Sequence, residues 1–246
     1  MDYQKYMTIA HTNHLLCSPL SPARLNQLIS LLELEQGASV LDVGCSKAEM
    51  LIQMAEGCQI QAIGVDIAEE FIRAAQENID NRVPGADISL HCMNIDDFEY
   101  DDETFDVIIC IGSTHLYGGF EDALTTLYPL LRNGGYLIAG DVFWKAPPST
   151  GYLKEVGIPA EALVHYPQHI YQAQAAAYTP LYALTSSPEE WDDYEWLTYR
   201  AIELYVRNHL EDIDVPEMME KCRTDRDRYL KWGRDTMGFG LYLLQK

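Results

Sequence analysis

Two neighbouring segments carry the residues best suited to bind a ligand. Residues 40–48 read VLDVGCSKA, an apolar strand that enters a turn of small residues, and residues 63–67 read IGVDI, a second strand that ends at Asp66. Such a turn lets backbone N–H groups approach a ligand closely, and a carboxylate at the end of the next strand can accept hydrogen bonds from both hydroxyls of a ribose. The two segments together predict a nucleoside-binding site.

The spacing of glycines separates two classes of ligand. A dinucleotide-binding turn needs G-x-G-x-x-G, because a pyrophosphate sits on the helix N-terminus. In this chain Gly44 is the only glycine of the turn, and Ser46 and Ala48 stand where further glycines would be sought. The spacing therefore disfavours NAD.

The turn resembles motif I of the class I S-adenosylmethionine-dependent methyltransferases, whose pattern is roughly V-L-D-x-G-x-G-x-G. Asp42, Gly44 and Cys45 match it, whereas Ser46 and Ala48 depart from it but remain small. The resemblance covers residues 39–142 and is to the bacterial, small-molecule type of this family. It implies S-adenosylmethionine as the cofactor, with its ribose held by Asp66.

The same resemblance extends to the segments after the third and fourth strands. The family binds adenine with the loop after strand three, where this chain has Asn94-Ile95-Asp96; Ile95 would lie against the ring, and either Asn94 or Asp96 would meet its polar edge. The end of strand four lies beside the methyl donor in the family. The cofactor-binding residues implied are Asp42, Gly44, Cys45, Ser46, Asp66, Ile67, Asn94, Ile95, Asp96, Ile111 and Gly112.

Two polar residues follow strands at the edge where ligands of open α/β sheets bind. Methyl transfer from a sulfonium is an in-line displacement, so the protein chiefly aligns the reactants and excludes water. His115 follows strand four and is the candidate general base, although it is equally compatible with a structural histidine of the pocket wall. Asp141 follows strand five and could orient a polar acceptor. Both are the predicted catalytic residues.

Three further residues are predicted to bind the acceptor. Trp144 could form an apolar or cation-π wall, although a core position suits it as well. His14 and Tyr117 could line the same mouth. His11-x-x-His14-x-x-Cys17 would bring three metal-ligand types near one face if that segment were helical. No carboxylate joins them and a sulfonium donor needs no Lewis acid, so we expect no metal.

Bulk composition limits the partners and the location. The 246 residues suit one domain, and a formal net charge of −21 disfavours nucleic acid and anionic membranes as partners. No apolar run is long enough to cross a membrane, and residues 1–20 lack the features of a signal peptide. The six cysteines include no C-x-x-C pair and are expected to be reduced. We expect a cytoplasmic protein with a small-molecule acceptor, and a homodimer is possible.

Hydrophobic periodicity predicts the elements that position these residues. Strands at about 39–43, 60–65, 87–92, 105–111 and 135–140 alternate with helices at 47–56, 68–80 and 119–131, which implies parallel β-α-β crossovers. Asn133-Gly134-Gly135 is expected to end the last of these helices. The capping box Ser187-Pro188-Glu189-Glu190 begins a helix, a second helix spans 216–233, and residues 238–244 form the last strand.

The predicted fold is α/β, a seven-stranded, mostly parallel, doubly wound sheet with an antiparallel last strand and a helical insertion before it. The chain would form a single methyltransferase domain, and we expect the insertion to cover the acceptor pocket. Its segments are an N-terminal cap and helix (1–36), a cofactor-binding core (37–142), an acceptor-side segment with strand six (143–187), the helical insertion (188–235) and the last strand (236–246).

The predicted function is methyl transfer from S-adenosylmethionine to a small molecule. Two alternatives remain: a catalytically silent protein that binds S-adenosylmethionine or S-adenosylhomocysteine, and a nucleotide-dependent oxidoreductase.

Overall fold

A computed structural model describes residues 1–246, which form one seven-stranded sheet with helices on both faces. The strands are β1 (Ala38–Val43), β2 (Ile60–Asp66), β3 (Asp87–Cys92), β4 (Phe105–Ile111), β5 (Leu131–Trp144), β6 (Thr179–Thr185) and β7 (Met237–Gln245). The α-helices are α1 (Tyr3–Ala10), α2 (Pro22–Ile29), α3 (Glu49–Gly57), α4 (Glu69–Arg82), α5 (Phe120–Leu127), α6 (Thr150–Val156), α7 (Tyr166–Ala175), α8 (Pro188–Asn208), α9 (Val215–Arg228) and α10 (Arg234–Thr236).

The strand order β3-β2-β1-β4-β5-β7-β6 confirms the predicted sheet. Strands β1 to β5 pair in parallel, and β7 is antiparallel to both β5 and β6. The order reverses at β1, from which one half of the sheet runs towards β3 and the other towards β5. Ligands of open α/β sheets bind at such a switch point, at the carboxyl ends of the strands. The carboxyl ends of β1 and β4 are therefore the expected place of a ligand site.

Two apolar clusters cover the two faces of this sheet. One includes Leu25 and Leu28 of α2 together with Leu51 and Ile52 of α3, all fully buried. The N-terminal helix predicted within residues 1–36 therefore lies against the sheet. The opposite cluster includes Leu124 and Leu127 of α5, with α7 packed beside it. Buried strands with near-continuous apolar sequence fit a sheet covered on both sides.

The segment between α5 and β5 differs from its prediction. The helix ends at Leu127 instead of about residue 131, and β5 already begins at Leu131. Pairing with β4 shifts register between Phe105 and Val107, and the strand residues opposite this shift include Gly134, whose φ is +81°. Asn133-Gly134-Gly135 therefore forms an irregularity inside a strand, because the local glycine signal is the same for a helix end and a strand bulge.

The helical insertion lies between β6 and β7, as predicted, and it packs against the first helix of the chain. Tyr6 and Ala10 of α1 are buried together with residues of α8 and α9, including Ile202 and Met218, in a third apolar cluster. The predicted second helix ends earlier than residue 233, because a π-helical turn spans Tyr229–Gly233. No helix combines the length and the apolar character that crossing a membrane requires.

Candidate active site

The turn after β1 depends on a glycine at position 44. Its backbone N–H and that of Cys45 both donate to the carbonyl oxygen of Val65, at 2.9 and 3.0 Å. Gly44 has φ +71°, and a Cβ added there would lie 2.0 Å from Oγ of Ser113. Both the left-handed backbone and the close approach of the Ser113 side chain therefore require glycine.

The two departures from the motif I pattern keep the conformation that glycine would adopt. Ser46 has φ +49° and Ala48 has φ +60°, so both L residues lie in the left-handed region. The Ser46 hydroxyl lies 2.9 Å from Sγ of Cys17. The turn thus has the shape that the glycine pattern produces, although two of its residues carry side chains.

Asp66 links the ends of β1 and β2. Its Oδ2 accepts from the Ser46 backbone N–H and its Oδ1 from that of Ala68, each at 2.9 Å. Burial raises the pKa of Asp66, while these two hydrogen bonds oppose the increase. Asp42 lies beneath the turn, where burial and then the charge of Asp66 raise its pKa to about 8.

A cavity of about 560 Å³ opens above this turn. Eight of the predicted cofactor-binding residues line it, namely Gly44, Ser46, Asp66, Ile67, Asn94, Ile95, Ile111 and Gly112. Three others do not: Asp42 and Cys45 are buried under the turn, and Asp96 is exposed outside the cavity. Between Asn94 and Asp96, the alternatives left open for the adenine edge, the geometry favours Asn94. Asn94 also caps a short 3-10 turn by accepting from the Asp96 N–H.

The roof of this cavity comes from elements far away in the sequence. Tyr3, Met7 and His11 of the N-terminal segment line it together with Tyr194 of α8. The Tyr194 hydroxyl lies 2.9 Å from Nε2 of His11. None of the four was predicted as a binding residue. The sequence signals were coarser: an N-terminal cap within residues 1–36 and a helical insertion expected to cover the acceptor pocket.

A second cavity of about 690 Å³ adjoins the first. Cys17, Gly112, His115 and Tyr194 line both cavities, so these residues mark where the two meet. The two predicted catalytic residues, His115 and Asp141, lie together in its wall.

Hydrogen bonds fix the Asp141 carboxylate at the end of β5. It accepts from the Thr114 hydroxyl at 2.5 Å and from the Val142 N–H at 2.6 Å. Burial raises the pKa of Asp141, and the Thr114 hydrogen bond and the nearby His115 act in the opposite direction. The side chain is thus held in one orientation beside His115.

The structure corrects the three predicted acceptor-binding residues, none of which lines either cavity. Trp144 is 2% exposed, and its indole N–H donates to the Ala160 carbonyl at 2.7 Å, so it is a core residue. Tyr117 packs against the apolar cluster under α5. His14 is buried with Nε2 2.8 Å from the Tyr194 carbonyl. The positions of these residues in the sequence did not reveal which way their side chains point.

The His11, His14 and Cys17 side chains each contact a different group. His11 contacts the Tyr194 hydroxyl, His14 the Tyr194 carbonyl, and Cys17 the Ser46 hydroxyl. The chain contains no group of three or more histidine, cysteine and acidic side chains that could hold a metal ion.

Comparisons with known proteins agree with this geometry. A family model described as a methyltransferase domain matches residues 34–200. The uncharacterized protein YjhP of Escherichia coli is 25% identical over 99% of both chains. A methyltransferase of Amycolatopsis mediterranei named for 27-O-demethylrifamycin SV is 28% identical over 60% of this chain and 57% of its own.

Among solved structures, a Geobacter sulfurreducens methyltransferase in complex with S-adenosylhomocysteine superposes with a TM-score of 0.91. It is 22% identical, and the match covers 98% of this chain and 97% of that one. With a family model over more than half of its length and the seven-stranded sheet of the class I fold, the chain belongs to the methyltransferase domain family.

Proposed function

We propose that the protein transfers a methyl group from S-adenosylmethionine to a small-molecule acceptor. The observation that carries this proposal is the junction of the two cavities at Gly112, His115 and Tyr194. A donor in one cavity and an acceptor in the other would meet there.

The residues of the smaller cavity fit S-adenosylmethionine. The Asp66 carboxylate is available to ribose hydroxyls, and Ile67, Met93 and Ile95 offer apolar surface to adenine. A volume of about 560 Å³ lies within the range of small-molecule sites. When bound, this cofactor supplies a methyl group on a positively charged sulfur, which is the electrophile of the reaction.

The residues around the two cavities have separate roles in the proposed reaction. His115 removes the proton that a hydroxyl or amine acceptor must lose, since it lines both cavities. Asp141, oriented by Thr114, holds the polar end of the acceptor. The roof residues of α1 and Tyr194 exclude water, and alignment of the two reactants can supply about 7–11 kcal/mol of the barrier reduction.

Two observations support a small acceptor. The larger cavity holds about 690 Å³, which admits a small molecule but not a folded macromolecule. A net charge of −21 opposes binding of nucleic acid. The similarity to a methyltransferase named for 27-O-demethylrifamycin SV is consistent with this class of substrate.

Calorimetry with S-adenosylmethionine, S-adenosylhomocysteine and NAD tests the cofactor, and we expect micromolar binding of the first two only. A screen of metabolite pools for release of S-adenosylhomocysteine tests the reaction. Binding without release from any pool would support the catalytically silent alternative. Tight binding of NAD in place of S-adenosylmethionine and S-adenosylhomocysteine would support an oxidoreductase.

A further inference from the structure

His169 on α7 is the most deeply buried polar side chain in the wall of the larger cavity, with 2% of its surface exposed. Its ring stacks on Phe120, with ring centres 4.1 Å apart, and meets the Tyr242 ring edge to face at 5.3 Å. Burial lowers the pKa of His169 to about 4, so the imidazole is neutral near pH 7. A neutral imidazole has one N–H donor and one acceptor nitrogen, so its tautomer decides what it can bind.

The Tyr242 hydroxyl determines this tautomer. It lies 2.8 Å from Nδ1 of His169, and it makes no other hydrogen bond. Tyr242 is completely buried, and burial raises the pKa of its phenol, so the hydroxyl keeps its proton. A buried O–H needs an acceptor, and Nδ1 is the one within reach. Nδ1 therefore accepts, and the imidazole proton is on Nε2.

Gly240 makes this arrangement possible. A Cβ at position 240 would lie 2.1 Å from the Tyr242 hydroxyl oxygen, so any larger residue would push the hydroxyl away from His169. Gly240 also pairs with Asp141 across β5 and β7. Gly240 thus leaves room for the Tyr242 hydroxyl, which fixes the tautomer of His169 in the cavity wall.

His169 lines the cavity, and its Nε2–H group has no hydrogen-bond acceptor in the protein. The charged side chains in the same wall are carboxylates, those of Glu121, Asp122, Asp141 and Glu161, and no lysine or arginine is among the lining residues. A neutral N–H donor in an acidic cavity suits an oxygen atom on a ligand that carries no negative charge.

We propose that His169 binds the methyl acceptor by donating Nε2–H to a hydroxyl or carbonyl oxygen, and that the acceptor is neutral or cationic. Tyr242 is the positioning residue that holds the tautomer. The proposal rests on the proposed function, because the larger cavity must be the acceptor site.

The first experiment records the long-range proton–nitrogen NMR spectrum of the histidines in protein loaded with S-adenosylhomocysteine. We expect His169 in the Nε2–H form, and we expect Tyr242→Phe, which keeps the ring but removes the hydroxyl, to lose that preference. An Nδ1–H form in the parent protein, or an unchanged spectrum in Tyr242→Phe, would overturn the proposed role of Tyr242.

The second experiment measures binding of three probes of one skeleton to the same loaded protein: tyramine, tyrosol and 4-hydroxyphenylacetate. We expect the cation and the neutral alcohol to bind at least tenfold more tightly than the anion. His169→Phe should weaken the binding of tyrosol about threefold to tenfold, which is the effect of one hydrogen bond. His169→Gln, which retains an N–H donor, should restore part of this affinity. Tyr171→Phe, on the exposed face of the same helix, is the control.

Equal binding of the anion, absence of binding by all three probes, or full affinity in His169→Phe would overturn the proposal. Calorimetry with S-adenosylhomocysteine separates this outcome from failure of the proposed function. If the parent protein and all variants bind S-adenosylhomocysteine equally, a negative result with the three probes concerns the acceptor site alone. If the parent protein does not bind it, the proposed function fails first.

Discussion

Asp66 is the residue on which cofactor binding is predicted to depend most. Its carboxylate is anchored by two backbone N–H groups and still lines the smaller cavity. A carboxylate held in this way is preorganised to accept hydrogen bonds from a ligand, because its orientation is fixed before binding.

Asp66→Ala should weaken binding of S-adenosylhomocysteine roughly tenfold to a hundredfold, since a hydrogen bond to a charged group contributes about 1.5–3 kcal/mol. Calorimetry measures the change. Asp96→Ala, at an exposed carboxylate outside the cavity, is the matched control and should bind normally. Parent affinity in Asp66→Ala would contradict the assignment of this site.

His115→Ala should lower turnover by about 10²–10⁴-fold and leave affinity for S-adenosylhomocysteine nearly intact, because a general base acts on the acceptor. The measurement is the rate of S-adenosylhomocysteine release with an acceptor found by the screen. His165→Ala is the control, since His165 bonds to the Trp144 carbonyl and lines neither cavity. Near-normal turnover in His115→Ala would mean that alignment suffices for the reaction.

The sequence predicted those residues of the candidate site whose positions follow from the local backbone. Gly44 and Asp66 follow from the shape of one turn and from the end of the next strand. Trp144 and Tyr194 could not be assigned in the same way, because the direction of a side chain depends on packing between distant elements. Trp144 turns into the core, whereas Tyr194 reaches both cavities from a helix that follows β6.

Among the elements, the turn between β1 and α3 offers a direct test of glycine. Gly44→Ala and Gly37→Ala both place an L residue at positive φ, which costs about 1–2 kcal/mol. Only at Gly44 does the added Cβ meet another atom, Oγ of Ser113, whereas nothing lies within 4 Å at Gly37. Gly37→Ala should lower Tm by about 2–8 °C, and Gly44→Ala should lower it clearly more. Equal decreases, measured by thermal unfolding, would show that Ser113 moves aside freely.

The helical insertion contacts α1 as well as the cavities, so its removal should affect the cofactor too. Thr185 and Gly240 are paired neighbours, and a short linker can therefore replace residues 188–235. Without Ile202 and Met218, the apolar face of α1 loses its cover and the roof over the smaller cavity loosens. We expect no turnover and at least a tenfold loss of S-adenosylhomocysteine affinity by calorimetry. Parent-like turnover would contradict a role of the insertion in the site.

Elements with strong periodicity were predicted well, and the connections less well. Strands β1 to β4, and the helices that join β1 to β2 and β2 to β3, follow from their apolar patterns. The end of α5 and the bulge in β5 were not predicted. The same Asn-Gly-Gly sequence suits a helix end or a strand bulge, and pairing with β4 decides between them. The contact between α1 and the insertion is also a tertiary property, which neither segment reveals alone.

For the molecule as a whole, buried carboxylates make stability depend on pH. Burial raises the pKa of Asp42 to about 8, and it raises those of Asp66, Asp141 and Glu195. Each folded group holds its proton more tightly than the unfolded one, so its contribution to stability is complete below about pH 4 and decreases as pH rises. Carboxylates with lowered pKa, such as Asp106 and Asp192, act in the opposite direction but at lower pH.

Burial lowers the pKa of His11 and His169 to about 4, and these histidines act in the opposite direction up to the unfolded histidine pKa of about 6.5. The free energy of unfolding should therefore decrease between about pH 7 and pH 8, and Asp42→Asn, which cannot ionise, should flatten that decrease. Urea unfolding at a series of pH values measures both slopes. Asp97→Asn, at an exposed position, is the control and should retain the parent slope. A free energy of unfolding that rises over this interval, or an unchanged slope in Asp42→Asn, would contradict the prediction.

The position of β7 in the sheet has a consequence for synthesis on the ribosome. This strand begins at Met237, whereas its two neighbours are complete by Trp144 and Thr185. The nascent polypeptide therefore carries two open strand edges while the whole insertion is translated, and open edges invite association with other chains. Translation pauses within residues 188–236 should favour aggregation, and a chaperone that shields β5 and β6 during that interval should raise the yield of native protein.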